Sequence, residues 1–258
     1  MKRGTVLRGL AVVAAVALAF TVGANWSVLV RPPLVIGQDA VTDAATTAVV
    51  PVVEDADGRV LVVRPPSGAT ERNVLVVFYP GGLVRPQAYE WLGRALAVEG
   101  YTTVMPEFSF DLAVTGVGRA STLIERYGGG KRVVLAGHSL GGAMAAQYLA
   151  DELKAGRQPA VGLILEAAYP PDGADLTSAH LASLTLRAGN DGVADAAKVS
   201  GGLARLPAGA QEAVVPGAVH AFFGRYGPQS GDGVPGVDRA AAEAFILSAV
   251  TGFLAGLG

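Results

Sequence analysis

The chain has 258 residues, of which 51% are hydrophobic and 16% charged, and its formal net charge at pH 7 is −2. This length suits one large domain with a hydrophobic core, and the nearly neutral charge without a basic stripe argues against nucleic-acid binding. The sequence contains no cysteine, which excludes disulfides, thiolate zinc sites and a cysteine nucleophile.

The first thirty residues have the pattern of a membrane-targeting segment. Lys2, Arg3 and Arg8 precede an apolar stretch at residues 9–30, and a bilayer-spanning helix needs about 20 such residues. A basic flank before an apolar stretch is typical of an uncleaved signal-anchor or of a signal peptide, here with cleavage after Ala24. We favour a single N-terminal hydrophobic helix in the cell membrane, with the rest of the chain outside the cytoplasm; secretion is the alternative.

Residues 31–47 are predicted to be a linker, and residues 48–258 a single α/β domain. Apolar runs predict strands at 48–54, 59–64, 73–79, 101–105, 132–136, 160–166, 183–188 and 211–216. Amphipathic runs predict helices at 86–99, 116–127, 140–155, 192–203 and 237–256. An Asp-Gly turn signal within residues 54–60 predicts a hairpin of the first two strands. The later strands are apolar on both faces, which indicates a mostly parallel sheet covered by helices.

The stretch "VVLAGHSLGGAMAA" at residues 133–146 places a serine between glycines where a predicted strand becomes a helix. Such a G-x-S-x-G turn is typical of a nucleophile elbow, in which the serine is exposed at the carboxyl edge of the sheet. Gly137 and Gly141 would relieve crowding on either side of Ser139. The pattern also occurs by chance in a chain rich in glycine, so it is the strand before it and the helix after it that favour Ser139 as the nucleophile.

A serine nucleophile needs a general base and an acid that orients it. His220 follows the last predicted strand, whereas His138 lies inside the elbow and His180 precedes a strand, so His220 is the best candidate for the base. Asp191 follows the strand at 183–188, and the order serine, aspartate, histidine is the one expected for this architecture. Two acids are rivals for the same role, Glu166 and Asp195, and Asp191 could also be a turn-capping residue.

Two backbone N–H groups are expected to form an oxyanion hole. One is that of Leu140, directly after the serine, and the other comes from the loop "FYPGGLV" at residues 78–84. Gly82 is the preferred second donor and Leu83 the alternative, although the loop could also be only a tight turn.

Four stretches, "GHSLGG", "FYPGG", "GNDGV" and "PGAVHAFFGRYGPQSGDG", together resemble the α/β-hydrolase superfamily, in particular its compact, often membrane-anchored bacterial branch. The resemblance covers roughly residues 48–256. It implies an eight-stranded α/β-hydrolase fold with Ser139 as nucleophile, Asp191 as acid, His220 as base, and Leu140 and Gly82 as oxyanion donors. It leaves open whether Arg225 and Asp232, in the segment after the histidine, are structural or line the site.

The sequence departs from many members of that family in two places. Pro80 stands where many have a histidine, which should not affect a backbone donor. The connection at residues 167–182 has room for one or two turns of helix at most, so we expect a minimal lid and an open site.

These features predict a serine hydrolase, most simply a carboxylesterase acting on a small-molecule ester, with no metal or organic cofactor. The alternatives are a dienelactone hydrolase-like activity, acyl transfer, and a non-catalytic binding module on the same fold.

Overall fold

The computed structural model describes residues 48–55 and 58–257. Within them, eight strands form one sheet, in the order β1-β2-β4-β3-β5-β6-β7-β8. The strands are β1 Val52–Asp55, β2 Arg59–Val63, β3 Val74–Tyr79, β4 Thr102–Pro106, β5 Arg132–His138, β6 Gly162–Glu166, β7 Ala182–Ala188 and β8 Gln211–Val215.

The sheet is antiparallel at one edge and parallel elsewhere. β1 pairs with β2 as a hairpin, with Val52 opposite Val62 and Asp55 opposite Arg59, and β2 runs antiparallel to β4. Every other neighbouring pair is parallel. The predicted hairpin and the mostly parallel eight-stranded sheet are therefore confirmed. The carboxyl ends of β3 to β8 all lie at one edge, where active sites of such folds are built.

Five α-helices lie in the described residues: α1 Glu90–Val98, α2 Arg119–Tyr127, α3 Leu140–Lys154, α4 Ala196–Gly201 and α5 Arg239–Ala255. They match the predicted helices, with later starts for four of them. A 3₁₀ turn, Pro86–Tyr89, precedes α1. Residues 192–195 stay outside α4, because the Asp195 side chain caps its first turn by accepting the N–H of Lys198 at 3.0 Å.

Both faces of the central strands β3, β4 and β6 are buried along their whole length, as the doubly apolar strands predicted. Because successive side chains of a strand point to opposite faces, Phe78 packs with Leu92 of α1 and Ile246 of α5 in one core. Val77 packs with Leu149 of α3 in the other. The sheet is therefore packed between two hydrophobic cores, one on each face.

The connection between β6 and β7, residues 167–181, contains turns and no helix, which agrees with the predicted minimal lid. In the described part of the chain, no helix has both the length and the apolar character to cross a bilayer. The predicted N-terminal helix at residues 1–30 and the linker at 31–47 lie outside the described residues.

Candidate active site

Ser139 lies at the turn between β5 and α3, as predicted. Its backbone has φ 52° and ψ −123°, a conformation that costs a non-glycine residue of order 1–3 kcal/mol. A Cβ on Gly141 would overlap the carbonyl oxygens of Tyr79 and Pro80, and one on Gly137 would lie 2.6 Å from the N–H of Gly142. The two flanking glycines are thus required by close backbone contacts that make the turn possible.

The Ser139 hydroxyl is not used to cap the helix that follows it. Ser139 is the N-cap residue of α3, yet its side chain makes no capping hydrogen bond. Its backbone N–H instead donates to the carbonyl of Glu166, at 2.9 Å, which ties the turn to the end of β6. Ser139 as a whole is partly exposed.

Asp191 and His220 contact each other. Nδ1 of His220 lies 2.9 Å from Oδ2 of Asp191, and both side chains are only 2% exposed. Because an ionised carboxylate can only accept, Nδ1 carries the proton and Nε2 is left with a free lone pair. The other oxygen, Oδ1, accepts the N–H groups of Val193 and Ala194 at 2.8 and 2.7 Å. Asp191 therefore both caps its own turn and orients the imidazole.

The His220 ring lies beside the elbow. Its centroid is 4.5 Å from that of His138, the residue before Ser139. Within the described residues no hydrogen bond joins the Ser139 hydroxyl to His220. Nucleophile–base hydrogen bonds are often long in the free state and tighten when substrate binds.

Neither of the two rival acids forms a hydrogen bond or an ion pair with His220. The Asp195 carboxylate caps α4. Glu166 is completely buried at the end of β6, and neither carboxylate oxygen has a hydrogen-bond partner among the described residues. Burial raises the pKa of Glu166 to about 8, because the charged form is poorly solvated there. Burial thus favours the neutral form of Glu166.

The other two histidines are placed differently from His220. His180 is exposed, and its backbone N–H donates to Gln158 at 3.0 Å. His138 is fully buried, and desolvation, together with the nearby His220, holds its pKa well below the usual range. Its neutral ring packs between His220 and Phe223.

The loop at residues 81–83 offers one uncommitted N–H group. The N–H of Gly81 donates to the Tyr89 hydroxyl at 3.0 Å, and that of Leu83 to the carbonyl of Asp111 at 2.7 Å. Among the described residues, the Gly82 N–H has no such partner. A Cβ on Gly82 would lie 3.2 Å from Cδ2 of Leu140. Of the two candidate donors in this loop, Gly82 is therefore the one whose N–H is available to a ligand.

A family model described as "Alpha/beta hydrolase family" matches residues 75–242, a span that includes the elbow, the Asp191 turn and the His220 loop. The chain belongs to the alpha/beta hydrolase family. A comparison with curated protein sequences finds no significant match.

Solved structures with this fold include two esterases. One, from Pseudomonas putida, has a TM-score of 0.58 and 17% identity, over 80% of this chain and 83% of its own. The other, from Pyrobaculum calidifontis, has a TM-score of 0.52 and 20% identity, over 67% of this chain and 77% of its own. A CIB-like hydrolase from Thermoplasma acidophilum aligns with a TM-score of 0.53 and 17% identity, over 67% and 89% of the two chains. At these identities the likeness is one of fold.

Two residues at this edge were not assigned a role by the sequence. Tyr89 contacts the loop at residues 81–83 from the end of a 3₁₀ turn, and no local pattern distinguishes it from a core tyrosine. Asp232 contacts the His220 loop. The sequence signal for Asp232 was the glycine-rich segment in which it lies, after the histidine. The contacts of that segment are visible only in the folded chain.

Proposed function

We propose that the protein is a serine hydrolase that cleaves carboxylic esters, with Ser139 as nucleophile, His220 as general base and Asp191 as the acid that orients it. The observation that carries the proposal is the 2.9 Å contact between Nδ1 of His220 and Asp191. Buried beside a strained elbow, this pair leaves Nε2 of the imidazole free to take a proton from a serine hydroxyl.

In the first half of the reaction, Nε2 of His220 accepts the Ser139 proton as the hydroxyl oxygen attacks the ester carbonyl. The N–H groups of Leu140 and Gly82 stabilise the negative charge that develops on the carbonyl oxygen by donating hydrogen bonds to it. Leu140 is the first residue of α3, where N–H groups lack intrahelical partners and the helix dipole favours an anion. His220 then gives its proton to the leaving alcohol as the C–O bond breaks.

In the second half, water attacks the acyl group on Ser139 while His220 takes a proton from it. Collapse of the second tetrahedral intermediate releases the carboxylic acid, and the proton returns to Ser139. The ionised Asp191 stabilises the imidazolium that forms in each half. No metal or organic cofactor has a role in this scheme.

The fold comparisons support an ester as substrate, since the P. putida and P. calidifontis proteins with this fold are esterases. The short connection at residues 167–181 supports an open site that accepts small esters without movement of a large lid. For the whole chain, we propose that the apolar stretch at residues 9–30 anchors the enzyme in the cell membrane, with the catalytic domain outside the cytoplasm.

A fluorophosphonate probe and a series of p-nitrophenyl esters test the proposal. The wild-type chain should be labelled at Ser139 and hydrolyse the short esters, and Ser139→Ala should lose both properties. Ser178→Ala is a matched control, because Ser178 is exposed and lines a surface with Arg132 and Ala182, the first residues of β5 and β7, at the opposite edge of the sheet. Labelling that persists in Ser139→Ala, or a folded wild type that is neither labelled nor active, would contradict the assignment.

A further inference from the structure

The segment that follows His220 folds back over the turn that carries Asp191. A Cβ on Gly233 would overlap the carbonyl oxygen of Asn190, and one on Gly192 would overlap the backbone of Asp232 and Gly233. The side-chain amide of Asn190 also donates to the carbonyl of Val234 at 2.9 Å. The glycines of "GNDG" and "SGDG" therefore allow two backbones to pack in direct contact.

At the centre of this contact, the Asp232 carboxylate accepts four backbone N–H groups. Oδ1 accepts those of Gly192, His220 and Gly233 at 3.2, 3.0 and 2.8 Å, and Oδ2 accepts that of Ala221 at 2.9 Å. Hydrogen bonds to an ionised acceptor are about twice as strong as neutral ones. Asp232 is thus tied firmly to each of these backbones.

The four donors belong to separate parts of the site. Gly192 directly follows Asp191, on the loop after β7. His220 and Ala221 lie on the loop after β8, and the N–H of His220 belongs to the same residue whose ring meets Asp191. A single carboxylate therefore connects the backbone of the acid to the backbone of the base, in addition to the direct contact between their side chains.

We propose that Asp232 is a positioning residue that sets the distance and orientation between Asp191 and His220. This inference rests on the proposed function for its effect on rate, although the geometry of the Asp191–His220 pair can be measured without any substrate. Loops are the parts of a fold with fewest constraints, and a displacement of about 1 Å in a catalytic group can cost ~10²-fold in rate. Besides Asp232, the two loops are joined by the hydrogen bond from the N–H of Asn190 to the carbonyl of Ala218, at 2.8 Å, and by the Asp191–His220 contact itself. Only Asp232 binds the backbone of His220 as well as that of Gly192.

Asp232→Asn is the sharpest variant, because it keeps the shape of the side chain. The amide oxygen can still accept the three N–H groups at Oδ1, but the amide nitrogen then faces the N–H of Ala221, where donor meets donor. Asp238→Asn is the matched control. Asp238 lies in the same segment and accepts the N–H of Ala241 at 2.7 Å as the N-cap of α5, and no hydrogen bond joins its carboxylate to His220.

Two readouts separate positioning from general stability. For Asp232→Asn we expect kcat to fall about tenfold with little change in KM, and ~10²-fold for Asp232→Ala, while Asp238→Asn keeps the wild-type kcat. We also expect Asp232→Asn to weaken or shift the downfield ¹H NMR signal of the proton between His220 and Asp191. That signal is assigned by its loss in Asp191→Ala, and the melting temperature of each variant shows that it is folded.

Wild-type kcat and an unchanged downfield signal in folded Asp232→Asn would overturn the proposal. If neither Asp232 variant folds, Asn190→Ala tests the same contact between the segment and the Asp191 turn, since it removes the hydrogen bond to Val234. It should reduce kcat and perturb the signal to a smaller degree. The signal does not require Ser139. A chain that hydrolyses no ester, but whose signal changes in Asp232→Asn, would therefore refute the esterase function and support the positioning role.

Discussion

The hydroxyl of Tyr89 lies 2.8 Å from Nδ1 of His138 and accepts the N–H of Gly81 at 3.0 Å. All three groups are buried, and burial raises the pKa of Tyr89 well above its ordinary value, so that the hydroxyl keeps its proton. This pair connects the residue before the proposed nucleophile Ser139 to the residue before the proposed oxyanion donor Gly82. It leaves no space for a side chain at Gly81, where a Cβ would lie 2.8 Å from each of the two polar atoms.

Removal of the Tyr89 hydroxyl should therefore loosen the loop at residues 81–83, which carries the proposed oxyanion donor. We expect Tyr89→Phe to lower kcat for p-nitrophenyl esters by about tenfold, less than the ~10²–10³ that loss of an oxyanion donor itself costs. Tyr148→Phe is the control, because it removes a comparable hydrogen bond, 3.0 Å long to Ser121, away from the site. Each substitution should cost about 1 kcal/mol of stability. Equal kcat values in the two variants would show that Tyr89 has no role beyond packing.

Asp191 should be the acid that catalysis needs. We expect Asp191→Asn to lower kcat by ~10³–10⁴, because an amide at this position would favour the wrong tautomer of His220. Glu166→Gln and Asp195→Asn should keep most of the wild-type activity, since neither carboxylate is hydrogen-bonded to His220. Steady-state kinetics of the three purified variants decide the assignment, and severe loss in Glu166→Gln alone would transfer the role to Glu166.

Glu166 should also make stability depend on pH. Its pKa rises from 4.5 to about 8 on folding because of burial, so between these values the folded chain holds a proton that the unfolded chain releases. Stability should therefore fall as pH rises through this window, by up to about 1.4 kcal/mol per pH unit, and level off above it.

Glu166→Gln is neutral at every pH and tests this dependence. The melting temperature of the variant relative to wild type should be higher at about pH 8 than at about pH 5. Glu99→Gln, which changes an exposed side chain, is the control and should show no such trend. A constant difference between Glu166→Gln and wild type across the window would mean that Glu166 is ionised in the folded protein.

The N-terminal segment should keep the enzyme at the membrane. We expect the native protein to sediment with membranes and its intact mass to include residues 1–24, since an uncleaved anchor retains them. Deletion of residues 1–30 should release active enzyme into the soluble fraction. A native chain that begins near Asn25 would instead indicate secretion.

The fold and the general location of the site could be read from local patterns. A strand that is apolar on both faces, such as residues 74–79, fits a central position in a covered sheet, and Gly137 and Gly141 mark a turn where backbones must touch. Each of Ser139, Asp191 and His220 follows a predicted strand, which placed all three at the carboxyl edge of the sheet. These features depend on residues close in sequence, so the sequence was sufficient to predict them.

Contacts between distant segments could not be read in this way. The sequence favoured Gly82 as donor but left Leu83 as the alternative. In the folded chain the carbonyl of Asp111 accepts the N–H of Leu83 and leaves that of Gly82 available. Asp232 resembles any aspartate in a glycine-rich loop until the segment folds back onto the Asp191 turn. The chain by itself determined which elements form and which residues end them. Tertiary packing decided which buried polar groups meet, because hydrogen bonds require distances and angles that only the assembled sheet and its loops define.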